Sequence, residues 1–369
     1  MAYIQSSNQI SAQKPLSDEW FDQPIYYDDR RVPTQNPDFT PYFTTLQSRR
    51  MCVLLKRAVV LSRLVLKEAS VEMPDAIISG TGLGCIDNTE KFLYAISEND
   101  EKFLQPTYFM QSTHNILSST IAIDLKCHGY NNTFVHRGAS FENALLDAIM
   151  QLEQRHAQTA LVGGYDELTD DYYQFFDRIG IWNFDEGSLP KEKCFASETA
   201  VSMLLSSTQN EQTICELNDV ELMHKPTPQQ MQQSLDTLLT KAGCGLSDID
   251  ALLTGINSSA ANDKVYHDTI GLFFKNIPVL QYKHLFGESL SSSAIAVYVA
   301  ITCLRKGYAP PLLIAHPSSC VPENSLSTPS AGTPESLLSN GLKGIKRILV
   351  YNHYRNKSHT FILLSSCSN

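Results

Sequence analysis

Apolar residues recur along this chain with two different periods. In "QSRRMCVLLKRAVVLSRLVLKEA" (47–69), Met51, Leu54, Leu55, Ala58 and Leu61 fall at helical spacing between basic residues, which predicts one amphipathic helix. A second helix is expected over 141–154, with Leu145, Ala148, Ile149 and Leu152 on one face. The stretch "SSSAIAVYVAITCLRKG" (291–307) is apolar nearly all round and predicts a buried helix. Between these lie short apolar runs with strand character: "DAIISG" (75–80), "TALVGG" (159–164), "ETAVSMLLSS" (198–207), "RILVYN" (347–352) and "HTFILLSS" (359–366). Strands alternating with helices place the chain in the α/β class. The first 45 residues, polar and rich in Pro, Asp and Tyr, read as an irregular surface-wrapping segment, and the Pro/Ser-rich stretch 316–341 reads as a loop.

One strand pattern returns. "DAIISG" at 75–80 is echoed by "DALLTG" at 250–255: Asp-Ala, two branched aliphatics, a hydroxyl residue and Gly. Such an echo is what a duplicated architecture would leave, though buried strands draw on few residue types. The 369 residues, 43% hydrophobic, suffice for one large core or two smaller ones. A net charge of −10 without a long Lys/Arg block argues against a nucleic-acid-tracking surface. No window approaches ~18 uninterrupted apolar residues, so no membrane span is expected. The N-terminus lacks the basic-then-apolar pattern of a secretory signal. Nine cysteines are dispersed without a CxxC pair, which suits a reducing cytoplasm and gives no support for a metal site. No cofactor is expected.

Six segments, taken in order, carry a resemblance. They are "GYNNTFVHRGAS" (129–140), "ALVGGYDEL" (160–168), "SETAVSMLL" (197–205), "NSSAANDKVYHDTI" (257–270), "PVLQYKHLFGES" (278–289) and "LRKGYAPP" (304–311). The series resembles the β-ketoacyl synthases, and Asn262, Asp263 and Lys264 form its most specific piece. The resemblance implies a thiolase-like five-layer α/β/α/β/α sandwich of two duplicated halves, here 1–205 (with the irregular segment 1–45) and 206–369.

Those enzymes carry a cysteine at the start of a buried helix, where the helix dipole favours the thiolate that takes the acyl chain. Two histidines then stabilise the enolate that develops as carbon dioxide leaves. Aligned on the motifs, the cysteine position falls on Gly138 and the histidine positions on Gly255 and Glu288, while Lys283 is retained and could pair with Glu288. The family's glycine-rich C-terminal loop reads "NHYRNKSHT" (352–360). The resemblance therefore implies a chain-length-factor-like subunit without condensing activity of its own. Its partner would be an active ketosynthase in a heterodimer, fed by acyl carrier protein, with an acyl or polyene chain in a shared tunnel; type II fatty acid, polyketide and polyene systems, aryl polyene ones included, are the settings it admits. In the stretch "PTYFMQSTHNILSSTIAIDL" (106–125), Met110, Thr113 and Leu117 are expected on one tunnel-side helix face, with core packing as the alternative.

Other readings remain open at this point. Ser140 is an alternative nucleophile for a transferase or thioesterase, although "GASFE" lacks the last Gly of a nucleophile elbow. His136 and Arg137 could line a pocket, but they read first as loop residues, solvated or paired with Glu142. His284 could stand in for a catalytic histidine, and "GTGLG" (80–84) could be a dinucleotide loop, although a lone glycine cluster is weak and strands of the resembled fold end similarly. An acyl-binding homodimeric scaffold is the remaining alternative.

Overall fold

A computed structural model describes residues 1–99, 102–182, 184, 193–315 and 335–367. Five strands form the first half of the sheet: β1 (Ala2–Ile10), β2 (Ala76–Gly80), β3 (Tyr130–Phe134), β4 (Thr159–Asp166) and β5 (Thr199–Ser206). Five more form the second: β6 (Cys215–His224), β7 (Ala251–Thr254), β8 (Val279–Gln281), β11 (Arg347–Tyr354) and β12 (Ser358–Ser366); β9 (Tyr308–Ala309) and β10 (Leu342–Lys343) make a separate two-stranded ribbon. Their spatial order is β3-β2-β4-β5-β1-β6-β12-β11-β7-β8, which reads as one five-strand order followed by its mirror image. The two echoing segments supply β2 and β7, each second from its outer edge and parallel to both neighbours. The halves meet where Ala2–Ile4 of β1 runs antiparallel to Cys215–Leu217 of β6.

The helices are α1 (Thr45–Arg50), α2 (Val53–Glu68), α3 (Ile86–Glu98), α4 (Pro106–Ser112), α5 (Ile116–Leu125), α6 (Ser140–Glu153), α7 (Asp170–Arg178), α8 (Pro228–Lys241), α9 (Ala260–Phe273), α10 (Lys283–Phe286), α11 (Ser292–Lys306) and α12 (Glu335–Asn340). They fall into layers because their apolar stripes differ in width. α11, buried from Ser292 to Leu304, and α6 pack against strands of both halves and form the middle layer. α2 and α5 cover the outer face of the first half, and α8 and α9 that of the second. The result is the five-layer α/β/α/β/α sandwich of the thiolase fold. At ~25 cal/mol per Å² of apolar surface removed from water, the continuous middle core is the main term holding the halves together.

Three sequence expectations need correction. The first 45 residues are not merely irregular: β1 lies at the centre of the sheet, between β5 and β6. Its buried Ser6 and Gln9 hide it from an apolar-pattern reading, and they are tolerated because Ser6 Oγ donates to Val65 O (2.7 Å) and Gln9 Nε2 to Lys14 O (2.8 Å). The expected helix over 47–69 is two helices, broken where Met51 adopts an extended backbone between α1 and α2. Within the expected loop 316–341, residues 335–340 form α12; residues 316–334 lie outside the described residues.

Candidate functional site

β3 ends at a tight 3₁₀ turn, Arg137–Ala139, in which Arg137 takes φ = 56°, and α6 starts at once. This is the strand–turn–helix geometry that aims a residue into the middle layer. Gly138 occupies the turn, and a Cβ built there would lie 2.6 Å from Cγ of Tyr354, within overlap of the ring. Tyr354 comes from the end of β11, in the segment that replaces the family's glycine-rich loop. Its ring fills the volume a side chain at 138 would need.

The second position is filled in the same manner. A Cβ on Gly255, just after β7, would meet Asn352 Oδ1 at 2.8 Å and Lys283 Nζ at 3.1 Å, and the Tyr266 hydroxyl closer still. Tyr266 is wholly buried on α9, and its hydroxyl accepts from the backbone N–H of His353 at 3.3 Å. Burial pushes its phenol well above the ordinary tyrosine range, so it stays neutral. No space is left at Gly255 for an imidazole.

The third position carries a charge that is already spent. Glu288 Oε2 accepts from Lys283 Nζ at 2.6 Å and from Asn257 Nδ2 at 2.7 Å, and Oε1 accepts from Ser292 Oγ at 3.0 Å. Burial disfavours a charge on Lys283, but the adjoining Glu288 carboxylate outweighs it and holds the ammonium well above the usual lysine range. A lysine so held is no proton acceptor near neutral pH. Asp263, at the start of α9, accepts from Asn257 N–H (2.9 Å), and Asn262 donates to Asn257 Oδ1 (2.9 Å), so the Asn-Asp piece of the motif braces the loop that presents Asn257 to Glu288.

Gly138, Tyr354, Asn257, Lys283 and Glu288 line a cavity of about 340 Å³ that extends to Trp182 and Arg355. In its wall lies Glu142, on the first turn of α6, whose carboxyl is pushed up to about 7 by burial. Nothing in the sequence reading singled out Glu142, Tyr266 or Tyr354 as a site group; a carboxylate three residues inside an apolar helix start was the one available signal for the first.

The remaining candidates are accounted for by structure. Ser140 Oγ is fully buried, donates to Arg137 O (2.7 Å) and accepts from His136 N–H (2.8 Å), so it caps the turn. His136 and Arg137 are exposed, as solvated loop residues would be, whereas Glu142 is buried. His284 Nε2 faces Leu312 O (2.9 Å), and burial pushes its imidazole down to about 4. His353 has both ring nitrogens engaged, Nε2 with Asn262 O (3.0 Å) and Nδ1 accepting from Asn356 N–H (3.2 Å), and burial lowers it to about 3. Burial holds the Cys194 thiol well above its ordinary range, so it is no nucleophile. The "GTGLG" backbone is not free for a phosphate: Gly82 and Leu83 N–H groups donate to Asp166 Oδ1 at 2.9 and 3.0 Å.

The expected single face of Met110, Thr113 and Leu117 does not form. α4 ends at Ser112, Thr113 turns to an extended backbone (ψ = 137°), and a new helix starts at Ile116. Ser112 and Thr113 return their hydroxyls to Phe109 O (2.8 Å) and Met110 O (3.0 Å), which competes with the helix ladder. Leu117 is buried in the chain's own outer layer, whereas Met110 is 61% exposed beside exposed Phe109.

A sandwich of mirrored halves with a turn-borne position at the head of a buried helix is the arrangement of the thiolase fold. The family model for the β-ketoacyl synthase N-terminal domain matches residues 19–263, more than half of the chain, and the chain belongs to that family. The fold is similar to that of the ishigamide ketosynthase/chain length factor (TM-score 0.79, 14% identity, covering 100% of this chain and 99% of that one). It is also similar to the ketosynthase ApeO in complex with its chain length factor ApeC from Xenorhabdus doucetiae (0.78, 15%, 99% and 98%). A β-ketoacyl synthase from Burkholderia phymatum STM815 has the same fold (0.76, 13%, 100% and 99%). No curated protein matches the sequence.

Proposed function

We propose that this chain is a non-catalytic, chain-length-factor-like subunit that pairs with an active ketosynthase and helps shape the tunnel in which an acyl or polyene chain grows. The observation that carries the reading is the double in-filling: tyrosines occupy the space of both missing side chains at Gly138 and Gly255, and Glu288 is committed to Lys283. Condensation needs a thiolate and an oxyanion-stabilising pair, and the three matched positions, Gly138, Gly255 and Glu288, supply neither. The frame meanwhile is kept, with residues 1–205 and 206–369 as its two duplicated halves.

Two further features support a partner. β3 is an edge strand, hydrogen-bonded on one side to β2 and open on the other among the described residues. Around it stand exposed Ile123 (76%), Tyr130 (41%) and Val135 (37%), an apolar set that is unfavourable in water. The solved relatives named above include a ketosynthase held by its chain length factor, and another similar structure, described as AntDE:AntF, has an acyl carrier protein in complex with its ketosynthase. Carrier protein would deliver the chain to the partner, and the cytoplasm is the compartment this assembly implies.

The test is co-expression with a candidate ketosynthase, followed by mass measurement of the purified species and incubation with acyl carrier thioester. A one-to-one heterodimer in which only the partner gains acyl mass is expected. A stable acyl adduct on this chain alone would overturn the reading in favour of a transferase or thioesterase. Persistence as a homodimer beside the ketosynthase would overturn it in favour of a scaffold.

A further inference from the structure

The walls of the cavity carry polar groups that nothing in the chain satisfies. Among the described residues, Glu142 Oε2, Ser293 Oγ and both ends of the Asn352 side-chain amide are buried without a hydrogen-bond partner. The three residues are 2%, 4% and 7% exposed, and all of them line the cavity of about 340 Å³. Buried polar atoms are nearly always paired, so four unpaired ones around a single cavity mark a place for a ligand. None of the three residues stands at a position matched to the ketosynthase cysteine or histidines.

They come from three elements that packing brings together. Glu142 is in the first turn of α6 and Ser293 in the first turn of α11. The two turns meet over Gly164 of β4, where an added Cβ would lie 2.6 Å from Ala294 Cβ and 3.1 Å from Phe141 Cδ2, the chain neighbours of Ser293 and Glu142. Asn352 is on β11, the strand whose end lays Tyr354 against Gly138 at the head of α6. Its Oδ1 and Lys283 Nζ both border Gly255, at 2.8 and 3.1 Å from a Cβ built there. Ser293 is near enough to Glu142 to offset part of the rise in its carboxyl, but neither Oε2 nor Oγ has the geometry of a hydrogen bond.

The charges define the class of ligand. Lys283 is already matched by Glu288 at 2.6 Å. A carboxylate ligand would set a third acidic group, after Glu288 and Glu142, against one ammonium, and a cation would face Lys283. That leaves a neutral head. Asn352 offers a donor and an acceptor side by side, a pattern met by another primary amide, whose C=O accepts from Nδ2 while its N–H donates to Oδ1. The second N–H and the second lone pair of such an amide suit Glu142 and Ser293. Trp182, Val265 and Leu290 give the cavity apolar wall, and it opens past exposed Arg355 and Asn356.

We propose that this cavity is a binding site for a neutral primary carboxamide on a short alkyl chain, held by Asn352, Glu142 and Ser293. The site does not depend on the chain pairing with a ketosynthase. The experiment titrates the full-length chain with butyramide at neutral pH, read by ligand-observed NMR, and repeats it with butyrate, which has the same shape and a charge. Saturable binding of butyramide, about tenfold or more tighter than butyrate, is expected. Asn352→Leu removes both free amide atoms at similar volume. It should weaken butyramide binding about tenfold while the melting temperature holds or rises, because no satisfied hydrogen bond is lost. Ser293→Ala, a milder change that keeps the fold if the first variant does not, should weaken binding by a smaller factor. Absence of saturable binding, butyrate binding as tightly as butyramide, or undiminished binding in these variants would overturn the proposal.

Discussion

The cavity floor and the β3 edge have been treated in opposite ways by the same sequence. At the floor, each position that lacks its chemistry has a neighbour set against it: Tyr354 beside Gly138, Tyr266 beside Gly255, Lys283 paired with Glu288. At the edge, backbone groups and large apolar side chains remain open to solvent. The cavity that remains beside these groups is walled by side chains already committed to one another, Glu288 to Lys283 and to Asn257. The contrast is between polar groups that hold one another around the cavity and apolar ones left without contacts at the edge. The following substitutions probe each side of that contrast.

The largest effect is expected at the floor's charge pair. Glu288→Ala leaves the Lys283 ammonium buried with no counter-charge, and breaking a buried pair from one side costs about 3–5 kcal/mol. Urea denaturation should show the midpoint falling with the slope unchanged. Lys283→Met in the Glu288→Ala background should recover a large part of that loss, because no isolated charge then remains. An unaltered midpoint for Glu288→Ala would mean that the pair is solvated and the floor is not sealed.

Glu142 gives a pH-dependent test. Its carboxyl is raised from 4.5 to about 7 by burial, so the folded state holds the proton more tightly than the unfolded chain. Its contribution to stability is therefore fully present below pH ~4.5 and lost as pH rises through ~7. Glu142→Gln removes this dependence. The stability of the variant relative to the parent should climb between those pH values by about 3 kcal/mol, by linkage of a shift of this size. Comparison with the same parent cancels the opposite dependence from His353, whose lowered imidazole loses stability as pH falls below the ordinary histidine value. A flat difference from pH 4 to 8 would show that Glu142 is solvated in the folded chain.

Gly138→Cys addresses the doorway directly. The new side chain collides with Tyr354 and should cost about 1–3 kcal/mol through overpacking. Tyr354→Ala in the same chain should relieve the collision, so that the double mutant is less destabilised than the two single effects summed. Neither variant should acquire condensing activity, since the spaces at Gly255 and Glu288 remain closed. Additive stabilities in the cycle would mean that the ring and the turn are independent.

How much of this was legible beforehand follows from what each feature depends on. The strands at 75–80, 159–164 and 347–352 announce themselves because a strand buried on both faces must be apolar. β1 breaks that rule: it sits at the centre of the sheet as "AYIQSSNQI", its polar side chains satisfied by partners as distant as Val65. No local pattern announces such a strand. The break at Thr113 was similarly hidden, because helical spacing says nothing about hydroxyls that fold back on their own carbonyls. Motif spacing led to Gly138, Gly255 and Glu288, but not to the rings lying against the two glycines. Tyr354 is 216 residues from Gly138 along the chain, and only the pairing of β11 into the sheet brings them together. Absences can be counted along a sequence; their in-filling is a property of packing.

The smallest effect on the isolated chain is expected at the edge, and it is the one that separates the two regions most cleanly. Val135→Lys alters an exposed side chain just past β3, where substitutions stay within about 0.5 kcal/mol. The denaturation curve of the single chain should hardly move. If the edge is where a ketosynthase sits, the same change sets a hydrated ammonium against an apolar interface and against strand pairing, and edge lysines are a known deterrent to both. Recovery of the co-expressed partner should then drop while the fold of this chain stays intact. The reverse pattern, lost stability with full recovery of the partner, would place Val135 in the core and move the contact surface elsewhere.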